Sequence, residues 1–344
     1  MNAEGTVAEV LAGAAKWSTL VGDVRETLRT APDGCAQTCV TSPPYYGLRD
    51  YGAAGQIGQE QSPAEYVAAM VAVMREVRRV LADDGTLWLN VGDSYSSGSG
   101  GDKNVGTVTQ GAGYVQKAAK RAQFGAKPKD LLGIPWRLAF ALQDDGWYLR
   151  SDIVWAKPNP MPESVTDRPT RAHEYVFLLT KRPRYFYDAD AIREESAVPA
   201  SKFVAATGAN TAKLHATDAN DFRTHARGGG GQLGSPGTRN ARDVWTITPE
   251  PFAGAHFATM PPELARRCIL AGSRKGDVVL DPFGGAATTA LVALQHGRRA
   301  LLCELNPEYV EIQRRRLADF AADTSSPVRV EAPEWGALFA ATKP

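Results

Sequence analysis

The sequence predicts an α/β protein built around a βαβ core, and three observations carry that expectation. Residues 277–304 read as strand, glycine turn, helix, strand and acid. Asp277-Val278-Val279-Leu280-Asp281 is followed by Pro282-Phe283-Gly284-Gly285-Ala286-Ala287-Thr288-Thr289 and a helix to about Gly297, then by Arg299 to Cys303 ending at Glu304. Short apolar runs also alternate with helical stripes through the first half of the chain. Finally, the run Thr38-Cys39-Val40 leads into Thr41-Ser42-Pro43-Pro44-Tyr45-Tyr46, where two prolines with no N–H must stop a strand.

Taken in order, residues 17–22 read as a short strand ending at Gly22-Asp23, followed by a brief helix from Val24 to Thr30 and a Pro32-Asp33-Gly34 turn. After the double proline, residues 63–82 carry apolar side chains at Val67, Met70, Val71, Met74, Val77 and Leu81, a helical stripe with Ser62 as N-cap and Pro63 at its first position. Thr86 to Val91 is a buried strand closed by Gly92-Asp93. A helix is expected over Pro135–Gln143, with strands over Trp147–Ala156 and Glu174–Thr180. The proline-rich Lys157-Pro158-Asn159-Pro160-Met161-Pro162 separates those strands. Helices over Pro261–Gly272 and 307–320 flank the βαβ unit.

Two stretches carry no periodicity. Residues 95–129 are Gly/Ser-rich, with Lys103, Lys117, Lys120, Arg121, Lys127 and Lys129 set against Asp102 alone. A basic loop of that length suits a polyanion. Residues 183–243 hold four consecutive glycines from Gly228, with Arg223, Arg227, Arg239 and Arg242 interleaved with His215 and His225, the composition of a variable insertion.

The composition excludes several classes. At 344 residues, 43% hydrophobic and 22% charged, the chain has the make-up of a globular protein. It has no apolar run of the roughly 18–20 residues that cross a membrane. Residues 1–16 carry Glu4 and Glu9 and lack a basic start, so no signal peptide is expected. The four cysteines, Cys35, Cys39, Cys268 and Cys303, are too scattered for a disulfide or CxxC zinc framework and read as structural thiols. With a net charge of +1, any nucleic-acid contact must come from local patches.

The motifs themselves point to chemistry. A small hydroxyl, a rigid proline corner with free carbonyls and an aromatic face can hold a flat polar group by its edge and plane. The βαβ turn lacks the G-x-G-x-x-G spacing and any P-loop lysine, so phosphate cradling is poorly supported. Glu304, 19 residues after Gly285, can take both hydroxyls of a ribose. An adenosine without a pyrophosphate fits this turn.

Asp281-Pro282-Phe283-x-Gly285 followed by Thr288-Thr289 resembles the S-adenosylmethionine motif of the DNA amino-methyltransferases, and Thr41-Ser42-Pro43-Pro44-Tyr45 resembles their catalytic motif. The catalytic motif comes first, as in the β class. The resemblance covers roughly residues 17–192 and 244–320. It implies a Rossmann-like class I methyltransferase sheet, mostly parallel with an antiparallel strand, with the catalytic half preceding the cofactor half in one domain, 17–325. It also implies S-adenosyl-L-methionine as cofactor, held by Asp23, Phe257 (after His256), Asp281, Pro282, Phe283, Gly285, Thr288, Thr289, Glu304 and Asn306. Ser42, Pro43, Pro44 and Tyr45 become the catalytic residues, with Tyr45 stacked on a flipped base. Double-stranded DNA is the implied partner, met by Lys117, Lys120, Arg121, Arg223 and Arg227, with the 183–243 insertion reading the target. A cognate restriction endonuclease, a homodimer and a bacterial or phage-encoded cytoplasmic setting are the further expectations.

Ser42 in place of Asp favours cytosine N4 within that resemblance, although adenine N6 presents the same amino geometry and stays open. Two departures stand out: Ala287, where the family commonly has Gly, and Tyr46. An αL backbone at 287 would make the methyl a burden, and a DNA-binding relative without catalysis is the corresponding rival. Methylation of protein glutamine is expected with Asn, not Ser, before the prolines. The Lys157–Pro158 to Glu174 block is also family-like, but His173-Glu174, with no second histidine four residues on, reads as a structural pair.

Overall fold

The computed structural model describes residues 2–49, 52–53, 55–96, 127–196, 238–250 and 260–322. Eleven strands and seven helices follow in chain order: β1 (Asn2–Glu4), α1 (Val7–Leu11), β2 (Ala15–Val21), α2 (Val24–Thr27), β3 (Ala36–Thr41), α3 (Pro63–Val80), β4 (Leu81–Val91), α4 (Ile134–Asp144), β5 (Tyr148–Ala156), β6 (His173–Thr180), β7 (Glu194–Glu195), β8 (Thr238–Arg239), β9 (Val244–Thr246), α5 (Pro262–Gly272), β10 (Val278–Asp281), α6 (Thr288–Gln295), β11 (Arg299–Glu304) and α7 (Pro307–Ala322). Nine strands form one sheet in the order β1-β2-β11-β10-β3-β4-β6-β5-β9, and β7 pairs with β8 apart from it. Within the nine, only β6 runs against its neighbours. This is the mostly parallel sheet with one antiparallel strand that the family resemblance implies.

The pleat explains the layering. Cys39, Leu87, Leu89, Leu280 and Leu301 face a core shared with α1–α4, while Val40, Trp88, Val279, Ala300 and Leu302 face the core shared with α5–α7. Alternation is therefore kept, but both faces are covered, so the strands read as continuous apolar runs. Helix α3 begins as expected: Ser62 Oγ accepts the Glu65 N–H at 3.2 Å, with Pro63 at the first position. That cap contributes about 1 kcal/mol. Tyr66, Met70, Val73, Met74, Val77 and Val80 form its buried stripe.

Three features depart from the expected elements. Strand β4 starts at Leu81, five residues before Thr86, because Ala36 of β3 pairs with Leu81 across an irregularity in register. Asn2–Glu4 adds an edge strand beside β2, held by Arg314 on Glu4 at 3.2 Å, and the sheet thus begins before residue 17. At the other edge β9, just past the expected insertion, pairs with β5, and Trp155 donates to the Ile247 carbonyl at 2.8 Å. No described helix is long and apolar enough to cross a membrane.

Candidate active site

Strands β3 and β10 lie side by side and parallel, with Leu280 opposite Cys39. The chain leaves β10 toward β11 on one side and β3 toward β4 on the other. A crevice must therefore open beyond their carboxyl ends, where parallel sheets of this kind hold ligands. One hydrogen bond joins the two motifs across it: Thr41 Oγ1 donates to Asp281 Oδ1 at 2.7 Å. Thr289 donates to the Val40 carbonyl at 3.2 Å from the helix below. Asp281 is only 5% exposed, and burial raises its pKa above the ordinary 3.8, opposed by the hydroxyls of Thr41 and Thr289 and the Phe283 amide.

On the β10 side the glycine turn is tied to its surroundings through its backbone. Gly284 N–H donates to the Cys303 carbonyl at 2.8 Å, and a Cβ at Gly284 would lie 3.0 Å from Gln313 Nε2 and 3.1 Å from Leu302 Cβ. Buried Gln313 donates to the Gly285 carbonyl at 2.9 Å and accepts from Thr19 at 2.7 Å, so α7 and β2 both brace the turn. The Glu304 carboxylate accepts the Gly285 N–H at 2.8 Å on one oxygen and the Asn306 N–H at 2.9 Å on the other. Burial raises its pKa, and these amides pull it back. Asn306 Oδ1 accepts the Glu308 N–H at 2.9 Å and so caps α7. Arg316 ties down Thr288 at 2.9 Å and the Ala286 carbonyl at 2.7 Å. Pro282 is buried, and Phe283 packs half-buried against the first core.

These residues fit a nucleoside without phosphates. Each Glu304 oxygen keeps a lone pair for a ribose hydroxyl, and no lysine stands in the turn. Asp23 lies beside them at the end of β2, where Gly22 donates to the Glu304 carbonyl at 2.8 Å. Its carboxylate caps α2 and pairs with Arg25, which reaches on to the Gly55 carbonyl at 3.2 Å. The Arg25 pairing holds the Asp23 pKa below its usual value.

Ala287 meets the condition that makes its methyl a burden, with φ 61° and ψ 32° at the start of α6. Its side chain is fully buried among the apolar groups of the α5–α7 core. The departure from Gly is thus backbone strain beneath the turn, while the methyl packs as core.

On the β3 side, Pro43 and Pro44 end the strand as expected, but only one of their carbonyls is available. Pro44's accepts the Tyr66 hydroxyl at 2.9 Å, because α3 passes beneath the corner. Pro43's accepts no hydrogen bond among the described residues. Tyr45 is the most constrained member of the motif. Its hydroxyl donates to Glu174 Oε2 at 2.6 Å, with a longer arm to Asn90 Oδ1 at 3.2 Å, and it accepts from Ser42 Oγ at 3.3 Å. The ring edge lies against Gly92, where a Cβ would stand 2.7 Å from Cε2. Any side chain at 92 would displace the ring. Burial, reinforced by Glu174, pushes the phenol's pKa well up, so it stays a neutral donor. Tyr46 turns inward and packs on Tyr66 with ring centroids 5.6 Å apart.

The structure adds Asn90 to the corner, together with Glu174 and Lys157, which the sequence reading placed only in a family-like block without a role at the site. Glu174 does not act with His173. The strand pleat sends His173 against Tyr175, rings 5.4 Å apart, while Glu174 reaches Tyr45 and pairs with Lys157 Nζ. Lys157 also lies over the Trp155 ring at 4.3 Å. Asn90 donates to Glu174 and to the Tyr175 carbonyl, both at 3.1 Å. The signals available were the family-like block that runs from Lys157 to Glu174, and Asn90, a polar residue closing the apolar run Leu87-Trp88-Leu89. The cysteines are all free thiols with pKa values raised by burial, Cys303 up to about 12, so none is poised as a thiolate nucleophile. Phe257 with His256, and Lys117, Lys120, Arg121, Arg223 and Arg227, lie outside the described residues.

Comparison with known proteins assigns the class. Residues 36–315 match the family model of the N6/N4 DNA methylases, and the chain belongs to that family. Among its relatives, Type II methyltransferase M.Cfr9I of Citrobacter freundii is 48% identical over 296 residues, covering 86% of each chain. Type II methyltransferase M.SmaI of Serratia marcescens is 45% identical over 303 residues, 87% of this chain and 89% of the relative. Of the solved structures, a DNA modification methylase of Thermus thermophilus in complex with S-adenosyl-L-methionine superposes with a TM-score of 0.54 at 25% identity over 88% of this chain and 93% of its own. The cytosine-N4-specific PvuII DNA methyltransferase shares the fold, with a TM-score of 0.57 at 20% identity over 89% and 92% of the two chains. The protein is a Type II DNA methyltransferase of the N4/N6 family, with S-adenosyl-L-methionine as its cofactor.

Proposed function

We propose that this enzyme methylates the N4 amino group of a cytosine within a specific sequence of double-stranded DNA, in a restriction-modification setting. The observation that carries the reading is the 2.7 Å bond from Thr41 to Asp281, which sets the Ser-Pro-Pro-Tyr corner beside the glycine turn in one crevice. S-adenosyl-L-methionine supplies the electrophilic methyl when bound. Glu304 would hold its ribose hydroxyls, with Asp281, Pro282, Phe283 and Gly285 forming the wall and floor, Thr288, Thr289 and Asn306 fixing those groups, and Asp23 at the adenine end. Phe257 would cover the ring.

The chain's own residues then prepare the amino group. An exocyclic amine is a poor nucleophile because its lone pair is delocalised into the base. Acceptors on its N–H bonds draw the nitrogen toward tetrahedral geometry and free that pair. The Pro43 carbonyl and the Ser42 hydroxyl fill this role, with the base stacked on Tyr45. A base inside a duplex cannot reach this corner, so it is flipped out, and much of the rate comes from holding the amine in line. The basic 95–129 stretch and the 183–243 insertion supply DNA contacts in this reading.

Cytosine over adenine rests on Ser42 and the family resemblance. Mass spectrometry and sequencing of methylated bases in a host expressing the protein test it. N4-methylcytosine in one sequence context is the expected result, N6-methyladenine would reassign the base, and the absence of any methylated base would sink the reading.

A further inference from the structure

Three acceptors and donors in a row set a direction for the hydroxyls of the catalytic corner. A carboxylate only accepts hydrogen bonds. Glu174 Oε2, 2.6 Å from the Tyr45 oxygen, therefore takes the single phenolic proton, and the raised pKa of that phenol keeps the proton in place. With its proton committed, the Tyr45 oxygen can only accept from Ser42 Oγ, 3.3 Å away. Ser42 has one proton, and it is spent on Tyr45. What Ser42 turns to the crevice is lone pairs alone.

We infer that Glu174, held by Lys157 and Asn90, is a positioning residue that polarises this chain and makes Ser42 an obligate acceptor for the target amino group. The inference rests on the proposed acceptor role of Ser42. The hydroxyl of an isolated serine can rotate to donate as readily as accept, and a donor aimed at an N–H repels it. Lys157 pairs with the anchor in a part-buried site: the two side chains are 20% and 15% exposed. Asn90 orients the same carboxylate through its 3.1 Å amide contact. The contacts on the Tyr45 hydroxyl come from β4 and β6, and Lys157, just past the end of β5, braces Glu174, so the ring of the motif is fixed from strands that carry no motif of their own. No proton needs to leave the chain for this role, which is one of orientation.

The test is Glu174→Gln, which keeps shape and loses the acceptor-only carboxylate, measured by single-turnover methyl transfer with binding of S-adenosyl-L-methionine and of cognate duplex measured apart. The expected result is about a tenfold slower transfer, the scale of one charge-assisted hydrogen bond, with both affinities within about twofold of wild type. In a Tyr45→Phe background, where the relay is already cut, Glu174→Gln should cost nothing further. A merely structural role for Glu174 would cost the same in both backgrounds. Lys157→Met/Glu174→Gln, which leaves no unpaired charge, keeps the test valid where the single variant is unstable, and it should show the same tenfold slowing. Wild-type rates for Glu174→Gln, or equal losses with and without the Tyr45 hydroxyl, would overturn the inference. Ser42→Ala separates the levels: if it transfers at the wild-type rate, the acceptor reading itself fails, and if it is crippled while Glu174→Gln is not, only the role of Glu174 fails.

Discussion

The two strand ends that meet at the crevice are held in opposite ways. Beyond β10 and β11 the acids draw on nearby backbone: Phe283 N–H on Asp281, which also takes the Thr41 hydroxyl, and Gly285 and Asn306 N–H on Glu304. Beyond β3 the key side chain is held by other side chains from far along the sequence, Asn90 by 45 residues and Glu174 by 129. The first is a cradle of amides whose shape belongs to the turn. The second is a clamp whose parts the fold must assemble. The difference implies that damage at the cofactor end should spread through binding, whereas damage at the catalytic end should appear in turnover.

The largest effect is expected at the clamp. Tyr45→Ala removes the stacking face and the hydroxyl together, and transfer should fall by about a hundredfold or more. Cofactor binding should hold, because no amide of the β10 turn touches Tyr45. Filter binding with labelled S-adenosyl-L-methionine alongside methyl incorporation checks both halves. Retained activity within a few-fold would remove Tyr45 from the base-stacking role.

Next comes the cradle. Glu304→Ala deletes the ribose acceptors and frees the Gly285 and Asn306 amides, so cofactor affinity should weaken by about a hundredfold, the scale of two charge-assisted hydrogen bonds. Titration calorimetry reads it directly. Saturating cofactor should restore most of the transfer rate, which would separate this variant from Tyr45→Ala. An unchanged affinity would move the ribose site away from Glu304.

The same contrast explains what could be read from the sequence. Asp281, the glycine turn and Glu304 lie within one βαβ stretch, and local periodicity with turn chemistry is enough to place them. Ser42 to Tyr45 was legible because prolines force a strand to end. Glu174 was not, since an acid next to a histidine in a half-buried strand has no local mark of its target. The pairing Val91 with Tyr175 brings it opposite the corner, and that register is a tertiary fact. Lys157 was visible as the start of a proline-rich connection and of a family-like block, with nothing local to name its partner. The edge strands β1 and β9 escaped for a related reason, each being only three residues long with no period to detect.

Asp281 offers a pH-dependent test of the cradle. Its folded pKa lies above the unfolded value, so the charged form disfavours the fold. That penalty is absent below the ordinary pKa of 3.8 and grows as pH rises through the folded value. Asp281→Asn keeps an acceptor for Thr41 and Phe283 and drops the charge. In thermal unfolding without cofactor, its stability relative to wild type should rise with pH, while its affinity for S-adenosyl-L-methionine falls about tenfold, one charged contact. A constant difference in stability across pH would mean that Asp281 binds its proton equally well in the folded and unfolded chains, so that burial places no net penalty on its charge.

The smallest effect is expected at Ala287, and it bears on whether the cradle is compromised. An αL alanine costs about 1 kcal/mol relative to an unstrained backbone. Ala287→Gly removes that strain, but it also deletes a methyl fully buried in the α5–α7 core and adds freedom to the unfolded chain. These terms oppose one another, so stability should change by no more than about 1 kcal/mol, or roughly 2 °C in melting temperature. Cofactor affinity should not change, because the methyl packs among core side chains while the turn's contacts run through Gly284, Gly285 and Ala286 backbone. A large gain in affinity on restoring glycine would show instead that the alanine distorts the turn, and the chain would then be a weakened member of its family. Wild-type affinity in both would show that a cradle built from neighbouring amides absorbs a strained residue beneath it.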